Sequence, residues 1–369
     1  MCIAASLLLA CGLARAAAEA APEVPVQEPV EDAPPVGMRI GRDLTLSGYA
    51  TVQLLVPNGR GQPALAGGAG DGGDDAQYSR RTRLNVSHLS GIAWWEPSPA
   101  WKVLAEVDLQ DVVQLPAHSG EADSDGADSA PYASLERLYA DYRASDSVSL
   151  RVGKFLTPIG RWNQEHSDPQ VWTVLRPLIS QSAFPTNATG VMVFGSLPVG
   201  AQWIDYQTYA SDGGDWRTSP HTHPFDRAVG ARVATALNPD LQVGVSLSSF
   251  TQSDSGHTEF HLIGADGTWT WNRTEISAEA VARHGSDGNS AAEHGWFAQI
   301  VTPLARRWWA VARLEAYRRS VDPGEYRTGL IGLVYRSGSH WVFKAEWAQA
   351  SRGAQGLPCG LLSSLTLVY

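Results

Sequence analysis

Residues 307–319 read RWWAVARLEAYRR, and their side chains alternate between two chemical types. Small or apolar side chains occupy the even positions from Trp308 to Ala316, whereas Arg313 and Glu315 occupy odd positions between them. Alternation with a period of two predicts a β-strand that has one apolar face and one polar face.

The same alternation recurs from Leu44 to the end of the sequence, in short segments separated by turn residues. It predicts sixteen strands, at 44–55, 80–95, 101–113, 133–144, 147–155, 188–197, 201–211, 226–237, 240–251, 257–265, 268–283, 293–302, 307–319, 325–336, 340–350 and 360–369.

The connections between these strands are sorted by length. Short connections follow the even-numbered strands: EPSPA at 96–100, SD at 145–146, PVG at 198–200, NP at 238–239, DG at 266–267, PLAR at 303–306 and SGS at 337–339. The longest connections, 56–79, 114–132 and 156–187, follow odd-numbered strands. This sorting is typical of a transmembrane antiparallel β-barrel with short periplasmic turns and long external loops. The predicted fold class is therefore all-β, a barrel of about sixteen strands in the outer membrane.

A closed barrel of this size is too wide for side chains to fill, so one face of each strand would contact lipid and the other water. The chain holds 14 Trp, and many of them lie at predicted strand ends, as in an interfacial aromatic girdle. An amphipathic soluble β protein with sugar-stacking tryptophans is the alternative. The longest uncharged run, 177–204, is interrupted by Pro and Gly and does not predict a transmembrane helix.

The N-terminal segment has the composition of an export signal. Residues 1–18 contain an apolar core followed by small residues and are predicted to be a signal peptide, with lipidation of Cys11 as the alternative. Residues 19–42 are rich in Pro and acidic residues and predict a flexible segment before a barrel at 43–369. After cleavage only Cys359 remains, so no disulfide and no cysteine-based metal site is predicted.

The net charge of the chain is −10, yet basic residues outnumber acidic ones among the side chains assigned to the barrel interior. The predicted lumen wall contains Arg81, Arg83, Arg137, Arg143, Arg151 and Lys154. A positive lumen would favour anions. Pairing of Arg and Glu across strands is the alternative. Acidic segments at 69–76 and 119–129 carry negative charge outside the barrel, either as solvated surface or in cation-mediated contact with lipopolysaccharide.

The connection 156–187 is long, and its apolar content argues against disorder. We expect it to fold into the barrel and narrow the pore; packing on the rim or in a subunit interface is the alternative. The residues predicted to line the constriction are Arg161, Glu165, His166, Asp168 and Arg176.

The stretch LRVGKFLTPIG at 150–160 resembles the strand-and-turn signature of Gram-negative outer-membrane porins related to the phosphate-selective porins. The resemblance implies a sixteen-stranded homotrimeric barrel with an inward-folded third external loop. The last residues, GLLSSLTLVY at 360–369, resemble the C-terminal insertion signal of such barrels and would close the barrel against 44–55. The chain has few lysines and lacks a lysine ladder, so the residues support a porin better than a phosphate channel.

The predicted function is therefore passive transport of small hydrophilic, anionic solutes and ions. No enzymatic activity, cofactor, metal or nucleic-acid partner is expected; lipid and lipopolysaccharide would surround the barrel. Two alternatives remain: a structural or adhesive barrel without a pore, and a barrel-borne hydrolase. His166, Ser167 and Asp168 are adjacent, but adjacency alone does not build a catalytic triad.

Overall fold

The computed structural model describes residues 36–58, 82–116, 131–165, 167–200, 202–214, 224–252, 258–286, 292–319, 325–351 and 359–369. The strands are β1 (Met38–Ile40), β2 (Leu44–Pro57), β3 (Arg83–Ser98), β4 (Trp101–Pro116), β5 (Tyr132–Ser145), β6 (Val148–Leu156), β7 (Asn187–Val199), β8 (Gln202–Ser211), β9 (Phe225–Asn238), β10 (Leu241–Gln252), β11 (Glu259–Trp271), β12 (Thr274–Gly285), β13 (Glu293–Ala305), β14 (Trp308–Arg318), β15 (Glu325–Ser337), β16 (Trp341–Ala350) and β17 (Gly360–Val368). A 3-10 helix, Trp162–Glu165, and one short helix, α1 (Leu178–Ser182), lie between β6 and β7.

Strands β2 to β17 form a closed antiparallel barrel of sixteen strands. Each strand pairs with its neighbours in sequence, and β17 pairs with β2 to close the ring. Strand β1 pairs with the beginning of β2, so residues 38–40 of the segment predicted to be flexible form a short strand. The predicted fold class, an all-β antiparallel barrel with sixteen strands, is confirmed.

One predicted turn was wrong. Asp266 and Gly267 lie inside β11, and the turn to β12 is at Asn272 and Arg273. Both turn residues have positive φ, 45° and 69°, as a two-residue type I′ hairpin requires. The Asp-Gly pair was a misleading turn signal because the Asp266 side chain instead accepts hydrogen bonds from Arg232 on β9.

The outward face of the barrel is apolar. Many of its large side chains are strongly exposed, among them Val229, Leu247, Ile263 and Ile331. Soluble monomers rarely expose a contiguous apolar surface of this extent, whereas a barrel in lipid requires it. Aromatic side chains gather where the short turns join the strands; Trp101 packs on Tyr142, and Trp308 on Tyr335, with ring centroids 4.9 Å apart in both pairs. We call this the turn end of the barrel and the opposite end the loop end.

The inward face is polar, and many of its charged side chains are buried. Arg313 and Lys344 are 1% and 2% exposed, and Glu106 is 3% exposed. A charge removed from water in this way must be paired or hydrogen-bonded. Oppositely charged partners and the connection between β6 and β7 satisfy much of this requirement.

The C-terminal residue fastens the seam between β17, β2 and β3. Tyr369 exchanges two backbone hydrogen bonds with Gly48 on β2, and its hydroxyl donates to the carbonyl oxygen of Ser90 on β3 at 3.1 Å. The ring lies over Gly48, where an added Cβ would come within 2.8 Å of it and would also collide with the Ser90 carbonyl. Glycine at position 48 therefore makes room for the terminal aromatic.

The described part of the chain contains no helix with the length and apolarity needed to cross a bilayer. Several predictions lie outside the described residues: the signal peptide at 1–18, Cys11, most of the flexible segment, and the acidic segments at 69–76 and 119–129.

Candidate functional site

The connection between β6 and β7 lies against the inward faces of strands on the far side of the barrel. We call residues 157–186 the inner loop; the structure describes all of it except residue 166. The turn at its start requires Gly160, which has a φ of +66° and whose Cβ would collide with the Glu279 carboxylate on β12. A larger residue at this position would push the loop away from the wall.

Carboxylates of the barrel wall accept hydrogen bonds from backbone amides of the inner loop. These amides would otherwise be buried without partners, at a cost of roughly 1–3 kcal/mol each. The bonds join Arg161 and Trp162 to Glu279 at 2.9 and 2.6 Å, Val174 and Leu175 to Glu346 at 2.9 and 2.8 Å, and Leu178 to Glu315 at 2.8 Å.

Cations of the wall complement these carboxylates by donating to carbonyl oxygens of the inner loop. The donors are on β12, β14, β15 and β16, so the loop is tied to several strands at once. The bonds are Arg283 to Ala183 at 3.1 Å, Arg313 to Leu175 at 2.9 Å, Arg336 to Pro169 and Gln170 at 2.8 and 2.9 Å, and Lys344 to Asp168 at 2.7 Å.

Apolar side chains add to this attachment. Ile159 and Ile179 are 0% and 1% exposed, and they share one cluster with Phe155, Phe297 and Tyr317 of the strands. Burying an aliphatic side chain of this size contributes about 1.5–3 kcal/mol. The loop is therefore held by both its backbone and its side chains.

The predicted constriction residues do not form one cluster. Arg161 and Glu165 form an ion pair at 2.9 Å, and Arg161 also donates to Gln242 on β10 at 2.8 Å. Arg176 lies over the Trp162 ring, 5.5 Å from its centroid. Asp168 lies elsewhere, where Lys344 binds its backbone carbonyl, and His166 is outside the described residues.

The two loop carboxylates have opposite electrostatic environments. Burial raises the pKa of Glu165, although the Arg161 guanidinium opposes this shift. Burial would also raise the pKa of Asp168, but His88 and Lys344 outweigh it and hold that pKa below the ordinary aspartate value. Asp168 is therefore a stable anion in the docked loop.

Two of the six predicted wall cations are bound to carboxylates of the neighbouring strand. Arg151 makes two bonds to Asp141, at 2.8 and 3.0 Å, and lies 3.8 Å from the Tyr139 ring centroid. Arg137 binds Glu106 at 2.6 Å. The remaining predicted members are placed as follows: Arg143 is exposed near the turn end, Lys154 is 4% exposed, Arg83 is half-buried at the loop end, and Arg81 is outside the described residues.

Sequence reasoning missed several residues of the interior. Asp266, Glu293 and Arg336 were not assigned to it, although Arg283 and Glu293 are direct register partners that bind at 2.8 Å. Opposite charges on one parity of neighbouring strands could have revealed that pair. Adding these two acidic residues and one basic residue makes the excess of basic over acidic side chains in the interior smaller. The predicted anion preference depends on that excess.

A cavity of about 960 Å³ lies between the inner loop and the turn end. Its wall includes side chains from β4, β5 and β7 to β10, together with Arg161, Gln164 and Glu165 of the inner loop. A smaller space of about 40 Å³ also borders Arg161 and Glu165. This ion pair therefore borders both spaces. Among the described residues, no group of three or more His, Cys, Asp or Glu side chains is arranged to hold a metal ion.

Comparison with known proteins gives little at the level of sequence. No family model matches the chain. An uncharacterized protein of Aquifex aeolicus (strain VF5) is 30% identical over 120 residues, which cover 31% of this chain and 27% of that protein. The chain thus spans less than a third of the length of this relative.

Solved structures match nearly the whole chain. An anion-selective porin from Comamonas acidovorans aligns over 88% of this chain and 98% of its own, with a TM-score of 0.55 and 12% identity. A loop L8 deletion mutant of OmpT, an outer membrane protein of Vibrio cholerae, aligns over 88% and 99%, with a TM-score of 0.54 and 9% identity. Salmonella typhi OmpF in complex with daunomycin aligns over 88% and 97%, with a TM-score of 0.54 and 11% identity. At these identities the likeness shows the fold: the chain is a closed sixteen-stranded barrel of the kind found in outer-membrane porins.

Proposed function

We propose that this protein is an outer-membrane channel for passive diffusion of small hydrophilic solutes. The observation that carries the proposal is a closed barrel with an apolar outward face and a charged inward face that encloses a cavity of about 960 Å³. A barrel needs such an interior only if water or solute occupies it.

The inner loop narrows this channel. Its bonds to Glu279, Glu315 and Glu346 hold it across the interior, and Arg161 with Glu165 borders the cavity. Solutes that cross the barrel therefore pass the Arg161–Glu165 pair.

Charge selection in this channel is weak. Arg137, Arg151 and Arg232 are bound to wall carboxylates, and paired charges produce a weaker field at a distance than isolated ones. The anion preference predicted from the sequence stays a prediction, as does the relation to phosphate-selective porins. Export through residues 1–18 stays a prediction as well.

The channel assembles as a homotrimer. One Vibrio cholerae protein of the same fold is described as a trimer form, and it aligns over 88% of this chain with a TM-score of 0.51. Cross-linking of the folded protein in detergent tests this assembly, and a single monomer band would contradict it.

Reconstitution into planar bilayers tests the function. We expect stepwise conductance from the folded protein and none from a heat-unfolded sample. Under a salt gradient, Arg161→Gln with Arg176→Gln should shift the reversal potential toward cations, and Arg306→Gln with Arg307→Gln, exposed at the turn end, should not. A folded barrel without conductance would contradict the channel; an unchanged reversal potential would remove these loop residues from the constriction.

A further inference from the structure

On one side of the barrel, the outward-facing apolar side chains of several strands are followed, near the loop end, by a basic side chain. On β9 and on β11 to β15, the outward row carries an arginine or a histidine near the loop end. We call this set the basic arc: Arg227, His261, His284, His294, Arg318 and Arg327.

Strand register places the members of the arc at one height. His261 pairs directly with His284, and His294 with Arg318. The two pairs are offset by two residues along the register, since His294 pairs with Ala282 rather than with His284. The pairs lie two inter-strand spacings apart, so the arc shifts by one residue per strand on average. A shift of one residue (~3.3 Å) per inter-strand spacing (~4.8 Å) corresponds to a strand tilt of roughly 35°. Transmembrane barrels have this tilt, so the stepped positions trace a level line around the barrel.

The arc borders the apolar band directly. Two residues before or after an arc member, on the same face, lie Val229, Ile263 and Trp296, which are 59%, 55% and 45% exposed. Charges in this position meet the headgroup region when the apolar band occupies the hydrocarbon core.

The opposite side of the barrel lacks such charges. At the loop ends of β2 to β8, β16 and β17, the outward side chains that the structure describes include no Arg, Lys or His. Exposed apolar residues such as Leu84, Leu115, Val152 and Leu361 occupy these positions instead. Within the part of the chain that the structure describes, the arc is therefore confined to one side of the barrel.

Two carboxylates lie within the arc. Glu325 binds Arg327 at 2.8 Å, and Ser249 donates to Glu259 at 2.5 Å. The three arginines exceed these two carboxylates, so the arc keeps a positive excess without any histidine charge.

We propose that the basic arc binds the phosphate groups of the phosphorylated glycolipid in the outer leaflet of the membrane. The proposal rests on the proposed function, since it requires the loop end to face outward from an outer membrane. Guanidinium groups bind phosphate with paired N–H donors, and a line of them above an apolar band matches a lipid whose phosphates lie above its acyl chains.

Native mass spectrometry of the detergent-folded barrel tests the arc, with bis-phosphorylated lipid A as the probe and metal ions chelated. The arc variant Arg227→Gln/Arg318→Gln/Arg327→Gln should bind this lipid about tenfold more weakly, as three exposed charge contacts predict. The control variant Arg42→Gln/Arg306→Gln/Arg307→Gln removes three exposed arginines at the turn end and should bind like the unmodified protein. Lipid A with one phosphate removed should bind the unmodified protein more weakly, and phosphatidylcholine should show no difference among the three proteins.

Equal loss of affinity in both variants would overturn the proposal, because attraction would then depend on total charge alone. An unchanged affinity in the arc variant would overturn it as well. Dissociation of an oligomer in the arc variant, at unchanged lipid affinity, would assign the arc to a contact between copies of the chain. Conductance of the same preparations distinguishes failure of this proposal from failure of the proposed function. A barrel that conducts but shows no arc-dependent lipid binding refutes the lipid site and leaves the channel function standing.

Discussion

Replacing Glu346 with Gln should loosen the inner loop at two defined amides. The Glu346 carboxylate is 3% exposed and accepts the N–H groups of Val174 and Leu175 at 2.9 and 2.8 Å. A hydrogen bond to a charged group contributes about 1.5–3 kcal/mol, and a bond to a neutral one about half of that. Val174 and Leu175 donate to different oxygens of this carboxylate, and Gln replaces one of those oxygens with an NH2 donor. One amide therefore loses its acceptor and the other keeps a weaker bond, which together should cost roughly 2–3 kcal/mol of local stability.

Hydrogen exchange reports this loss directly. Each 1.4 kcal/mol changes an opening equilibrium about tenfold, so the Val174 and Leu175 amides should exchange roughly 30- to 150-fold faster in the variant. The matched control is Glu106→Gln, also 3% exposed in the barrel wall but bound to Arg137 and Ser90 instead of the loop. It should leave both amides unchanged. Exchange within about threefold of the unmodified protein in a folded Glu346→Gln barrel would refute the attachment of the inner loop through Glu346.

Three further outcomes are expected. Tyr369→Phe removes the hydroxyl bond to Ser90 and should lower the free energy of unfolding in lipid vesicles by about 0.5–1.5 kcal/mol, measured by urea titration. An unchanged free energy of unfolding would show that the Tyr369 hydroxyl does not stabilise the seam. Arg151→Lys cannot reproduce two parallel bonds to Asp141 and should cost roughly 1–3 kcal/mol in the same titration, whereas equal stability would make the pair dispensable. Because the pKa of Asp168 is lowered, its contribution to loop docking is complete above the ordinary aspartate value and is lost only as pH falls through the lowered pKa. The difference in loop amide protection between the unmodified protein and Asp168→Asn should therefore stay constant from neutral pH to about pH 4 and shrink below that; a difference that already shrinks near pH 6 would contradict this.

The barrel was predictable because its determinants are local. Period-two alternation set the face of each strand, and turn residues set most of the connections. The error at Asp266 and Gly267 shows the limit of local signals. A turn-forming dipeptide can remain within a strand when its acidic side chain has a partner such as Arg232 on a strand that is not adjacent.

The attachment of the inner loop was less predictable, since it depends on contacts across the barrel. Glu346 and Leu175 are 171 residues apart in sequence, and nothing in either segment identifies the other. Parity placed Glu346 on the inward face but could not distinguish a pore-lining carboxylate from one that binds loop amides. Strand parity also overstated the unpaired positive charge of the interior. It assigns a side chain to the inward face but does not show which carboxylate that side chain binds.

Single-channel conductance of a loop-shortened barrel tests the central claim most directly. Residues 161–183 would be replaced by a short Gly-Ser linker, which leaves β6, β7 and the barrel closure intact. If the barrel is a water-filled channel narrowed by its inner loop, the unmodified protein conducts in discrete steps and the shortened protein conducts in larger ones. Equal step sizes in two folded proteins, or no conductance from either, would contradict the account.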